Sequence, residues 1–391
     1  MVATMSLKDL CTIDITDGTH KTPTYVDKGY IFLSSKNVTS GVIDWDNVMY
    51  IPESLHNELY KRIAPQKNDI LLAKNGTTGV AAIVDRDEVF DIYVSLALIR
   101  PDESKVFPRY LLHAINSYPT KRFFDSHLKG IGVPNLHLTH IRETPIKVPS
   151  FAEQQHITDV LDKVDKLLAV RKEQLAKLDQ LVKSQFVELF GNLVIGDKVD
   201  TNKKKIGEIA SVTKLAGFEF TKYIQYKEQG DIIMLRGLNC KKGHLVLEDI
   251  KWIDKETSDL LPRSKLYYGD ILMTYAGTIG DVAMVDADDK YHLAPNVAKI
   301  TLNDKSACNP VFLMHLFMYT NDYIMTFASV VAQASINMEK IRNFEYYFPP
   351  VETQNQFATF VEQTDQSKLA IQQSLDKLEL LKKSLMQEYF G

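Results

Sequence analysis

Two stretches of the chain carry an unbroken helical pattern of apolar positions, and they stand about 200 residues apart. In the first, Ile157, Leu161, Val164, Leu168, Leu175, Leu178, Val182 and Leu189 follow alternating steps of four and three, with Arg171 and Gln185 at the missing beats. In the second, Phe357, Val361, Thr364, Lys368, Ile371, Leu375, Leu378, Lys382, Leu385 and Tyr389 fall on the same beats. Neither stretch contains Pro or Gly. A heptad pattern sustained over about 38 residues predicts helices about 57 Å long, at about 1.5 Å per residue, that pair as a coiled coil. The polar beats differ between the two, and unlike seams suit pairing within one chain better than a symmetric homodimer. The competing reading is a pair of long core helices inside one globule.

The remainder reads differently. Short β-branched or aromatic runs (YIFLSS, DILLA, AAIV, IYVSLALI; DIIML, DILMTY, VAMV, VAKITL) are bounded by Gly, Asn and Asp, the residues of turns. One helix is predicted after each of Pro108 and Pro310, where proline suits a first turn. Strands do not alternate with 12-residue helical patterns, so a doubly wound sheet is excluded.

These parts form one plan written twice. Asn68–Val84 (NDILLAKNGTTGVAAIV) matches Gly269–Val285 (GDILMTYAGTIGDVAMV) at eight of seventeen positions. PRYLLHAINS pairs with PVFLMHLFMY, IRETPIKVPSFAEQQ with IRNFEYYFPPVETQN, LSSKNVTSG with LRGLNCKKG, and Phe190–Gly191 with Phe390–Gly391. A period near 200 is too long for a solenoid and denotes two copies of a complete module. The expected organisation is a first strand-rich domain over 1–150, a long helix over 151–190, a linker over 191–205, a second strand-rich domain over 206–350 and a second long helix over 351–391.

Composition narrows the class. At 391 residues, 45% hydrophobic and 25% charged, the chain has the profile of folded globular protein with more than one domain. Its longest apolar runs, such as Val94–Ile99, are too short to span a bilayer, and the first ten residues have no signal-peptide pattern, so a cytoplasmic location is expected. Three scattered cysteines make neither a disulfide framework nor a zinc site. The net charge is −4, and the basic residues divide evenly, with 23 basic and 24 acidic residues in 1–190 against 23 and 26 in the rest. Nucleic-acid affinity rests on local clusters of basic groups, which a near-neutral total does not exclude.

Catalytic signatures are missing. There is no G-x-G-x-x-G after a strand and no G-x-x-x-x-G-K-[ST], so neither a dinucleotide nor an ATP site is signalled. Pro349–Pro350 lacks the flanking polar and aromatic residues of an amino-methyltransferase base pocket. Pro101–Lys105 (PDESK) looks like a nuclease metal site only superficially, because its two carboxylates are adjacent in one turn. His137 and His140 (HLTH) have no third ligand, and His113 and His315 occupy matching helix positions that suit packing.

Two variable strand-rich domains, each followed by a long helix, resemble the specificity subunit of type I restriction–modification systems. The resemblance covers essentially the whole chain. It rests on the DILLAKNGTTG and DILMTYAGTIG segments, the loops before GVPNLHLTHI and QASINMEKI, the P-x-x-x-E/T-Q lead-in to each long helix, and the duplication. DGTHKTPTY (Asp17–Tyr25) also looks like one class of target recognition domain; the second copy has only KLAGFEFTKY (Lys214–Tyr223), which implies a different target. The resemblance implies an α+β fold of two target recognition domains separated by two long helices in an antiparallel coiled coil. It implies a protein without catalysis or cofactor of its own. Double-stranded DNA and two modification subunits, which methylate adenine with S-adenosylmethionine, would be its partners. Restriction subunits working with ATP and Mg would join them. The alternatives are a self-contained DNA methyltransferase or nuclease, and a coiled-coil scaffold that does not bind DNA.

Glycine-interrupted loops bearing Lys, Asn, Thr and Arg approach phosphate closely and reach base edges. The candidate DNA contacts are His20, Lys21, Thr22, Ser35, Lys36, Lys74, Asn75 and Thr77 in the first copy. In the second they are Lys214, Arg236, Asn239, Lys241, Lys242, Tyr275 and Thr278. Gly76, Gly79, Gly277 and Gly280 are read as turn geometry, and Lys121, Arg122 and Lys129 as either phosphate ligands or a basic helix end. Leu167, Leu181, Phe186, Leu369, Leu380 and Leu381 lie off the apolar seams and are the candidate subunit interface.

Overall fold

The computed structural model describes residues 2–128, 134–199, 201–329 and 334–391. The chain divides into two compact units, residues 1–172 with 372–391 and residues 173–371. Each unit therefore owns part of both long helices, Phe151–Phe190 and Val351–Phe390, each of 40 residues.

In the first unit an antiparallel four-stranded sheet has the order Thr16–Asp17, Leu96–Ile99, Ile70–Ala73, Ala81–Ile83. Its middle strands are buried on both faces, which explains why they read as continuous apolar runs rather than as alternation. A three-stranded sheet of Met49–Ile51, Tyr30–Leu33 and Phe90–Ile92 stands beside it, its last pair parallel. The helix Pro108–Ile115 carries Pro at its first turn, as predicted. It packs against the start of the long helix: Tyr110, Ile157, Leu161 and Phe390 share one apolar cluster. Here the helices run antiparallel, with Asp165 2.5 Å from Lys382.

The second unit repeats the first sheet almost position for position: Ala210–Lys214, Val297–Leu302, Ile271–Thr274, Val282–Met284. A second sheet orders Lys251–Ile253, Ile232–Leu235, Tyr291–Leu293 and Lys265–Leu266, and a hairpin of Cys240–Lys241 with His244–Leu245 is added. Phe186, Phe190, Phe312 and Phe357 pack together in its main core, Phe186 stacked on Phe312 and the other pairs edge to face. The antiparallel helix pairing recurs, with Asp179 2.7 Å from Lys368. Two of the polar beats, Lys368 and Lys382, thus find carboxylates on the facing helix.

Two sequence expectations change. Residues 191–205 are not a free connection: Leu193 is buried, and Lys203–Lys205 pair with Glu345–Tyr347. Phe186 is not available to another chain. It is 2% exposed, because a step of four from Val182 makes Phe186, not Gln185, the inward beat. Leu167, Leu181, Leu369, Leu380 and Leu381 are between 45% and 69% exposed, as read from the sequence.

The repeated motifs are scaffold. Gln154 and Gln354, both buried, do one job twice: each side-chain oxygen accepts from a backbone N–H at the start of a proline-led helix (Phe107 and Asn309, 2.9 Å in both), and each amide donates to the preceding proline carbonyl. Asp69 and Asp270 both brace the turn before the motif strand. The first binds Arg100 and the Gln66 N–H; the second binds Thr301 and the Tyr267 N–H.

Candidate nucleic-acid interface

In each unit loops converge on one short linking segment, three of them in the first unit and two in the second. In the first, the Val94 N–H donates to the Thr19 carbonyl, the Tyr93 N–H to Leu33, and the Lys74 N–H to Ser95. The Ser35 N–H is bound by the Ser95 hydroxyl at 2.9 Å. The loops carrying residues 20–22, 35–36 and 74–77 are thereby held together, although they are far apart in sequence. In the second, the Ala294 N–H donates to Leu235 and the Tyr275 N–H to Asn296, which gathers the loops at 236 and 275–278. The glycine turns beside them hold positive φ at Gly76, Gly79, Gly277 and Gly280, between 77° and 84°, the left-handed backbone that glycine adopts without strain.

His20, Lys21, Thr22, Lys36 and Thr77 are exposed in the first unit, and Ser35 and Asn75 half-buried. His20 lies 3.4 Å from Asp17 and Lys21 3.9 Å from Glu58. Lys74 departs from expectation. It is 6% exposed and paired with Asp17 at 3.1 Å, so its charge is spent inside the unit. Lys121 and Arg122 are exposed on the helix Tyr118–Ser126, and Lys129 lies outside the described residues.

In the second unit Arg236, Lys241 and Thr278 line an open cleft of about 490 Å³, with Phe220, Tyr226, Leu238, Asp281 and Asn296. One nitrogen of Arg236, Nη2, donates to both the Asp249 carboxylate and its backbone carbonyl, each at 2.8 Å, which fixes the guanidinium. Burial raises the Asp281 carboxyl above its usual value, against the opposing charges of Lys241 and Lys242. The Lys214 ammonium sits 5.5 Å over the Tyr275 ring, and Lys242 is exposed on a φ of 48°. Asn239 is the second correction. It is fully buried, accepting from the Arg236 N–H and donating to the Val246 and Asp249 carbonyls. Asn37 closes the equivalent loop of the first unit through Ser34 and Asn47, so this asparagine is a loop clamp in both copies.

Sequence reasoning missed Phe220, Tyr226, Leu238, Asp281 and Asn296. Asp281 had a legible signal: the shared motif reads GTTGV in one copy and GTIGD in the other. His113 binds Asp162 on the long helix at 2.8 Å, whereas His315 donates to the Val311 carbonyl of its own helix. Among the described residues no group of three or more His, Cys, Asp or Glu could hold a metal ion, and no helix is long and apolar enough to cross a membrane.

A family model described as "Type I restriction modification DNA specificity domain" matches the chain twice, over residues 2–180 and 198–380. The MjaX specificity subunit of a type I restriction enzyme from Methanocaldococcus jannaschii is 22% identical over 376 residues, covering 92% of this chain and 85% of that one. The EcoBI specificity subunit of Escherichia coli is 25% identical over 320 residues, covering 75% and 67%. The solved type I restriction-modification S subunit from M. genitalium shares the fold, with a TM-score of 0.58 at 13% identity over 100% of this chain and 96% of that one. With both copies of the repeat matched by the same model, the chain belongs to the family of type I restriction modification DNA specificity domains and carries two of them.

Proposed function

We propose that this chain is the specificity subunit of a type I restriction–modification complex and has no catalytic role of its own. Each loop cluster reads one half of a bipartite, asymmetric target in double-stranded DNA. The long helices dock two modification subunits that methylate adenine with S-adenosylmethionine, and restriction subunits using ATP and Mg complete the assembly. The observation that carries this reading is one loop-bearing scaffold built twice with different side chains at its mouth: Lys36 against Leu238, and Val80 against Asp281. Base identity is read by such side chains, while the shared backbone sets where they stand. Two readers on one chain also make the second contact effectively intramolecular.

The test is exchange of residues 1–150 for another recognition domain, followed by mapping of methylated adenines in cells that also express the modification partner. One half of the motif should change and the other remain; a change in both halves overturns the modular reading. Docking is tested separately. Leu181 and Leu381 are exposed on the helices, and Leu181→Asp with Leu381→Asp should abolish co-purification of modification subunits while both units stay folded. Inserting four residues between Arg171 and Leu175 lengthens one helix by about 6 Å and should widen the gap between half-sites by one or two base pairs, at about 3.4 Å each.

A further inference from the structure

The cleft of the second unit contains an acid among its bases. Asp281 lies on its wall with Lys241, Arg236 and Thr278, and among the described residues no cation comes within 4.0 Å of its carboxylate. A surface built only to hold phosphate gains nothing from a carboxylate, which repels it. A carboxylate is useful where the ligand presents an N–H donor. Buried Thr274 fixes the backbone beneath it, its hydroxyl accepting from the Asp281 N–H at 3.0 Å. Arg236, opposite in charge and anchored through Nη2 to Asp249, leaves Nη1 as a preset donor. In the major groove, guanine offers two acceptors (N7 and O6) and its cytosine partner the N4 amino donor; arginine matches the first and aspartate the second.

We infer that the second unit's half-site contains a G·C pair read in this cleft, with Arg236 donating to guanine and Asp281 accepting from the cytosine amino group. The inference rests on the DNA-reading role proposed above and names the base pair that role requires. The first unit has no counterpart, because Val80 stands where Asp281 stands in the second and Ser34 where Arg236 stands.

The experiment uses the full chain in complex with its modification subunits and duplex oligonucleotides carrying its mapped target. Each G·C pair of the half-site left unchanged by the residue 1–150 exchange is replaced in turn by A·T. One replacement should weaken binding by roughly tenfold to a hundredfold, the span of one good base contact. Asp281→Asn and Arg236→Gln should each erase most of that discrimination at the same position and leave the other half-site's preferences intact. Asp281→Asn is isosteric, and among the described residues its carboxylate makes no hydrogen bond and no ion pair within 4.0 Å, only longer-range attraction to Lys241 and Lys242, so it stays informative if Arg236→Gln fails to fold. Unchanged discrimination at every G·C pair in the folded Asp281→Asn complex overturns the inference while leaving the specificity role standing. A parent complex with no sequence preference overturns the specificity role itself.

Discussion

The two units share a sheet register but fill it with different chemistry. Asp17 and Lys74 of the first occupy the places held by Lys214 and Tyr275 in the second, as pairing with Ala97 and Ala298 shows. In one the pair is a buried ion pair at 3.1 Å; in the other the lysine is exposed and rests over an aromatic ring. Asp91, bound to buried His56 at 2.7 Å, is replaced by His292, which lies 3.1 Å from its neighbour's carbonyl. Among the positions that do not vary are the clamps: Asn37 with Asn239, Asp69 with Asp270, Gln154 with Gln354. Duplication thus separates the residues that build the fold from those that distinguish what each copy does.

The sharpest way to break the comparison is through the cores. Phe186 touches Phe190, Phe312, Tyr319 and Phe357, so Phe186→Ala should cost about 3–5 kcal/mol in the second unit. The chain's two tryptophans, Trp45 and Trp252, stand one in each unit, and denaturant titration followed through each should show loss at Trp252 first. A substitution at the paired sheet positions tests the polar difference. Lys74→Met strands a buried carboxylate and should cost about 3–5 kcal/mol, largely recovered by adding Asp17→Asn. Lys214→Met removes only an exposed cation–π contact of about 0.5–1 kcal/mol. Similar losses from both would show that the two sites are equivalent after all.

The clamps should behave oppositely. Gln154→Ala and Gln354→Ala each leave a buried N–H unpaired and should cost the same, about 1–3 kcal/mol, each in its own unit. A smaller effect separates the units by pH. Burial lowers His315 to about 4, below its ordinary value of about 6.5. Between those values the unfolded chain takes up a proton that the folded unit refuses, so the second unit loses stability as pH falls from about 6.5 toward 4. In the first unit burial pushes Asp162 up, but hydrogen bonds from His113 and Arg109 outweigh it and hold the carboxyl down from 3.8 to about 2. That contribution persists until pH drops through this lower window. Acid titration should therefore move Trp252 fluorescence before Trp45.

Much of this was legible in the sequence, for identifiable reasons. The long helices are periodic over 40 residues without a breaker, so their pattern survives any local ambiguity. The middle strands of the sheets showed as apolar runs because they are covered on both faces. Register along the helix was harder to read: Gln185 and Phe186 are adjacent, and only packing against Phe312 reveals which points inward. The loop residues divide by a property that composition does not carry. Lys74 and Lys36 are both lysines in turns; the first faces Asp17 across a sheet edge and is consumed, the second faces solvent. Asn239 looked like a base reader because asparagine in a loop serves either purpose, and its burial beneath Arg236 decides between them.

Sharing of the long helices has a consequence for how the chain is made. The second unit is one continuous segment, residues 173–371, and every part of it is synthesised before the last helix is complete. The first unit is discontinuous. Its Tyr110 ring is covered by Phe390, 280 residues later, and its Ile157 and Leu161 lie in the same cluster. Closing so long a loop adds little entropy per residue, since the cost grows only logarithmically. The delay is one of synthesis rather than of equilibrium: the unit begun first is finished last. A released chain ending at residue 371 should protect the amides of Ile271–Thr274 from exchange while leaving Ile157–Leu161 open.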